Sequence, residues 1–122
     1  THAGGRPWDD TYVRVMLADL AVEAEIGRLL AYRTAWLQSQ GEVPNYEASI
    51  GKVFMANLGI KVANCGVNLL GLYGQLAPGS KWAALHGRLR TSYLLAMSGP
   101  IGGGTGEIQR NIIAQRGLGL PR

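Results

Sequence analysis

Residues 45–72 read NYEASIGKVFMANLGIKVANCGVNLLGL, and the periodicity of this stretch decides the fold class. Ala48, Gly51, Met55, Leu58, Val62, Cys65, Leu69 and Leu72 recur at alternating spacings of three and four. Such spacing puts them on one stripe of an α-helix; a strand would alternate at every second residue. Asn45 stands where an N-cap belongs, and Glu47 follows in the first turn, where a carboxylate meets the positive end of the helix dipole. Gly59 and Gly66 each cost about 1 kcal/mol against Ala in a helix interior. The sequence therefore predicts close approach of a neighbouring helix at both glycines.

Working outward, Gly41 and Pro44 end a preceding helix that starts after an N-cap at Asp9 or Asp10 and runs to about Gln40. Its predicted buried stripe is Val13, Leu17, Leu20, Ala24, Gly27 and Ala31, with Asp19, Glu23 and Glu25 largely off it. Two long helices joined by a short turn form an antiparallel hairpin. Downstream, residues 71–79 break the pattern, and Ser80 is placed to cap a third helix over 81–97 with Trp82, Leu85, Leu89, Tyr93 and Ala96 or Met97 as its apolar face. The run SGPIGGGTG (98–106) follows, and Thr105 caps a last helix to about Arg116 that Gly117 terminates. The expected fold is all-α: an antiparallel helical bundle of two long and two shorter helices over 10–122, with residues 1–9 a loop left from an upstream segment.

Hydrophobic residues make up 47% of the 122 and charged ones 16%, too apolar for a disordered chain. No stretch approaches 18 uninterrupted uncharged apolar residues, so no membrane span is expected. The net charge of +4 comes from twelve dispersed basic residues without a Lys/Arg run or interleaved aromatics. Nucleic-acid binding is therefore not expected, and the mild positive field suits an anionic ligand. One cysteine, Cys65, excludes an internal disulfide and Cys-pair metal sites; in its apolar run it reads as a buried thiol. The first residues, THAGGRPWDD, show no signal peptide and no initiating Met, so a cytoplasmic piece of something longer is the default expectation.

The templates for chemistry are sparse. His2 lies in the terminal loop, and His86 has no Cys, Asp or Glu at i±3 or i±4, so no metal is expected. The serines have no nearby base and no nucleophile elbow. Glu107 is the one carboxylate in the last sixty residues; it suits either helix-dipole stabilisation or ligand contact. Glycines before a helix let backbone approach a phosphate or flavin oxygen closely, but no Gly-Lys-Ser/Thr follows and no strand precedes. On the residues alone, a ligand loop and a flexible linker stand equal.

Residues 103–116, GGTGEIQRNIIAQR, with the LGLPR that follows, resemble the C-terminal signature of acyl-CoA dehydrogenases, usually Gly-Thr-Ser-Glu/Gln-Ile-Gln-Arg. ANCGVNLLGLYG (63–74) is similar to the family segment that usually ends Gly-Gly-Tyr-Gly, and AYRTAWL and EASIGKVF fit the same domain in the same order. The resemblance implies a C-terminal helical domain of an FAD-dependent oxidoreductase that α,β-dehydrogenates acyl-CoA thioesters. In that reaction a carboxylate takes the α-proton and FAD takes the β-hydrogen as hydride. It also implies a tetrameric assembly passing electrons to an electron-transfer acceptor, in fatty-acid or steroid side-chain β-oxidation. By the same resemblance Thr105 and Glu107 lie where the family contacts FAD, Gly104 beside the thioester, and Asn68, Gly71 and Leu72 near a neighbouring subunit's flavin.

Three departures qualify that expectation. Gly103 occupies the position where many relatives carry the catalytic Glu, so this segment offers no base. Leu72 replaces a glycine and narrows the approach to a pyrophosphate. The domains that hold most of the flavin and CoA contacts are not in these residues. The implied role is bundle packing, flavin-edge contact and oligomer interface; the alternative is a non-catalytic partner subunit of a heteromeric, α₂β₂-type dehydrogenase. A plain helical interaction module is the third reading.

Overall fold

A computed structural model describes residues 6–121, and every regular element among them is helical. Four α-helices follow one another: α1 (Thr11–Ser39), α2 (Tyr46–Leu70), α3 (Arg88–Ala96) and α4 (Gly106–Ile112), the last extended by a π-turn over Ile113–Gly117. All the other helices pack on α2. The expected all-α bundle is therefore present. Thr1, His2 and the Gly4-Gly5 pair lie outside the described residues; within the expected leading loop, Pro7–Asp9 form one 3-10 turn.

The ends of α1 follow from local chemistry. The Asp10 side chain accepts a hydrogen bond from the Tyr12 amide at 2.8 Å and caps the first turn. At the other end Gly41, at φ +80°, donates to Gln38 O at 3.0 Å while Glu42 donates to Leu37 O at 3.1 Å. Those two bonds are a Schellman stop, which needs a left-handed residue, and glycine supplies it without a Cβ clash. Asn45 does occupy the N-cap of α2, but its side chain makes no capping bond.

The inward face of α1 is rotated from the expected one. Val13, Gly27 and Leu37 are buried, and Met16, Leu20, Glu23, Leu30 and Thr34 are half-buried between them. Leu17, Ala24 and Ala31 are exposed. The true stripe is a strict three-four repeat that contains Glu23, because the carboxylate reaches Lys61 of α2 at 2.7 Å across the hairpin. A Cβ on Gly27 would run into the Met55 sulfur, so the glycine leaves room for that side chain between the helices. Pairing of 23 with 61 and of 27 with 55 makes the hairpin antiparallel, as expected.

α2 buries two faces rather than one seam. Leu58 and Cys65 are covered on the predicted stripe, but Met55, Val62 and Leu72 are exposed, while Ser49, Ala63 and Val67 form a second buried set. Gly66 does allow a tight approach, its would-be Cβ lying 3.0 Å from Leu89 Cδ2 of α3, whereas Gly59 has nothing within 4 Å. Burial pushes the Cys65 thiol up, in keeping with a packing role. Because several neighbours share α2, the run Tyr46–Gln75 contains an 18-residue window of mean hydropathy 1.3, long and apolar enough to cross a membrane by length and composition. The expectation that no stretch comes near this is too strict: it counts uninterrupted apolar residues, whereas the abundant Val, Ile, Leu and Met of this helix outweigh its isolated lysines and asparagines.

The third helix departs most from expectation. It begins at Arg88, not Lys81, because Leu85, His86 and Gly87 all take left-handed backbone (φ +50°, +54° and +75°). Trp82 and Leu85, expected in the core, are each 64% exposed. Gly87 is buried against Ala77 and Pro78, where a Cβ would meet Pro78 N at 2.6 Å. The chain between α2 and α3 thus folds back on itself, and α3, the glycine loop and α4 return along α2. Gly66 faces Leu89, Ala56 faces Gly99 and Tyr46 faces Gly117 in turn.

These two glycine environments predict opposite effects of the same substitution. Gly87→Ala, forced left-handed and into Pro78, is expected to destabilise the chain by at least ~2 kcal/mol. Gly59→Ala, with open space at its Cβ, is expected to stabilise it by roughly 0.5–1 kcal/mol. Urea midpoints of the two variants check both signs; destabilisation by Gly59→Ala would mean that its face is packed.

Candidate functional site

The glycine loop between α3 and α4 is tied down at several points. Its first half is a tight turn, in which Gly99 donates to Ala96 O at 3.1 Å and Gly102 to Ser98 O at 2.9 Å. Its second half depends on side chains from elsewhere. Half-buried Lys52 of α2 donates to Gly104 O at 2.6 Å and to Pro100 O at 3.1 Å. The buried Gln109 amide donates to Gly103 O at 3.1 Å. Gly103 and Gly104 have φ +70° and +99°, and a Cβ on Gly104 would lie 2.7 Å from Gln109 Nε2. Gly104 is thus required by its conformation, and a Cβ there would displace the Gln109 amide.

Thr105 caps α4 as expected, its hydroxyl oxygen accepting from the Ile108 amide at 3.4 Å. Glu107, in the first turn, is exposed and held below the usual carboxylate range. The cause is first its own backbone N–H, then the Thr105 hydroxyl, with further help from Arg110 and Lys52 against a small burial cost. It is an anion at neutral pH and a weak base. Lys52, Asn57, Thr105, Gly106, Glu107 and Arg110 line a cavity of about 180 Å³, closed on its apolar side by Val53, Ala56, Pro100 and Ile101. Gly103, exposed and two residues before Thr105 of this cavity, brings no titratable group.

Asn68, Gly71 and Leu72 form a separate cluster. They lie on a larger, mostly apolar cleft of about 570 Å³ at the far end of α2, shared with Tyr73, Leu76 and Trp82. At a helical rise of about 1.5 Å per residue, Asn68 is roughly 24 Å from Lys52. Asn68 donates to Asn64 Oδ1 at 3.2 Å, and Gly71 turns the chain at φ +55° with nothing near its Cβ. Leu72 is 80% exposed, so its side chain stands in the cleft's approach. The residues singled out from the sequence therefore fall into two groups at opposite ends of one helix.

Lys52 and Gln109 were not singled out from the sequence. Lys52 gives a faint signal, a lone ammonium in an apolar helical run, where a half-buried charge needs a partner. Its partners lie 48 and 52 residues away, which no local pattern reveals. Among the described residues no group of His, Cys, Asp and Glu could hold a metal, and His86 is exposed.

Comparison with known proteins places the chain. The family model for the acyl-CoA dehydrogenase C-terminal domain matches residues 1–118. The acyl-CoA dehydrogenase FadE26 of Mycobacterium tuberculosis is 35% identical over 125 residues, which cover 98% of this chain and 31% of that protein. An acyl-CoA dehydrogenase of Bacillus subtilis is 36% identical over 103 residues, 84% of this chain and 25% of its own. Among solved structures, the ChsE4–ChsE5 complex of Mycobacterium tuberculosis superposes with a TM-score of 0.88 at 33% identity, covering 100% of this chain and 32% of the other. The Tcur3481–Tcur3483 steroid ACAD does so at 0.87 and 28%, covering 93% and 29%. The chain spans about a third or less of the length of each of these relatives. It belongs to the acyl-CoA dehydrogenase family and corresponds to that family's C-terminal helical domain.

Proposed function

We propose that this domain serves an FAD-dependent acyl-CoA dehydrogenase in which the catalytic carboxylate comes from another segment or subunit. One observation carries the reading: the pinned loop borders a cavity whose one carboxylate, Glu107, has a lowered proton affinity, and Gly103, which by the resemblance stands at the family's base position, offers no carboxylate. A carboxylate whose proton affinity is lowered accepts an α-proton poorly. The heteromeric form of the reading is supported by the relatives, since the ChsE4–ChsE5 and Tcur3481–Tcur3483 structures are each named for two chains.

The residues present suit a flavin. Asn57 and Arg110 offer hydrogen-bond donors at one end of α2, and Asn68 and the open Gly71 turn offer an amide and bare backbone at the other. Bound FAD would supply the hydride acceptor for the β-hydrogen. The chain's own part is to hold the flavin edge near Thr105, keep Gly104 free of a side chain beside the thioester, and exclude water with Val53, Ala56 and Ile101. Leu72 narrows the far cleft, which favours a partner role at that end.

The surface of α1 supports assembly into a larger unit, with a tetramer as the proposed form. Tyr12, Val15, Val22, Ile26, Leu29 and Trp36 make a second apolar stripe, each between 41% and 75% exposed. An uncovered stripe of that length is rare on a monomer.

Two outcomes are expected. The purified 122-residue chain retains no yellow flavin and turns over no acyl-CoA with an artificial acceptor; stoichiometric flavin absorbance would contradict the reading. Glu107 binds its proton less readily when folded than at its ordinary value of 4.5. Its stabilising contribution is therefore present above that value and lost as the pH falls below it. Glu107→Gln should be less stable than wild type at pH 7, with the gap closing on acidification; parallel urea midpoints from pH 7 to pH 3 would show that Glu107 is not held as described.

A further inference from the structure

Lys52 holds the glycine loop by charge, and that fixes more than the loop's position. A half-buried ammonium is costly unless its protons find acceptors, and both acceptors that Lys52 has are carbonyls of this one loop. The bond to Gly104 O, at 2.6 Å, is at the short end for an N–H donor, as charge-assisted bonds are. A trans peptide unit points its C=O and its N–H in opposite directions. With the Gly104 carbonyl drawn towards α2, the Thr105 N–H must point away from α2. Gln109 does the same one peptide earlier: it takes Gly103 O inward and turns the Gly104 N–H outward. Among the described residues neither of these N–H groups has a hydrogen-bond acceptor.

We propose that Lys52 is a positioning residue whose ammonium sets the direction in which the loop presents the Thr105 and Gly104 N–H groups to the bound ligand. This rests on the reading that residues 104 and 105 face the thioester and the flavin edge. Glycine at 103 and 104 leaves these peptide units free to rotate, so the glycines alone cannot choose the orientation; a charge on the carbonyl side can. The ammonium also polarises the Gly104 peptide and makes the Thr105 N–H a stronger donor.

The test uses the intact protein purified with its natural subunits and flavin. Thr105→Val probes the reading itself: it should shift the visible spectrum of the bound flavin. Lys52→Met, which fills similar volume without charge, should shift that spectrum too and lower kcat per bound flavin by about tenfold to a hundredfold, with KM changed less. Lys52→Gln, which keeps one donor, should fall between and serves if the Met variant does not assemble. Aminoethylation of Lys52→Cys in a Cys65→Ala background, which rebuilds an ammonium at nearly the same reach, should restore both readouts. If Lys52→Met or Lys52→Gln loses only thermal stability and flavin content, with spectrum and kcat per flavin unchanged, Lys52 is merely structural and the proposal is overturned. If Thr105→Val leaves the spectrum unmoved, the flavin-facing reading of the loop fails and the proposal falls with it.

Discussion

A half-buried ammonium must find oxygen, and in this chain it finds it in the glycine loop. That constraint joins the two parts of the molecule that matter for function. Lys52 sits on the helix that all the others pack against, and its two acceptors belong to the loop that precedes α4. With those carbonyls satisfied, the loop can be glycine-rich without being loose. Thr105 is then placed to cap α4, and Gln109, the buried side chain of α4, returns to the loop at Gly103. Loop, cap and helix form one hydrogen-bonded unit seated on α2.

The same helix explains why the domain looks unfinished. α2 buries two faces against its neighbours and still leaves Met55 and Val62 about half exposed, while α1 shows an apolar stripe to the outside. Such uncovered faces fit the assembly proposed above. Apolar surface left open on both helices of the hairpin suits burial in a larger assembly.

Much of this was legible in the sequence, wherever the determinant is local. The Asp10 and Thr105 caps and the Gly41 stop each depend on residues within one or two turns, and each appears where expected. The misreadings occur where distant partners decide. On α1, two adjacent stripes compete, and the one through Leu17 and Ala24 carries no charge while the one through Met16 carries Glu23; the pairing of Glu23 with Lys61 settles the register. Leu85 and His86 carry no sign of left-handed backbone, since that conformation is imposed where Gly87 packs on Ala77 and Pro78. In the site, Thr105 and Gly104 are visible through motif and cap, whereas Lys52 gives only a faint signal until the chain is folded.

The account stands or falls on whether the glycine loop is ordered by these contacts. Backbone ¹⁵N relaxation at Gly102, Gly103 and Gly104 measures this directly. Order parameters near those of the helices, about 0.85, are what the Lys52 and Gln109 contacts predict; values below about 0.6 would mean the loop is a mobile linker and would contradict the account.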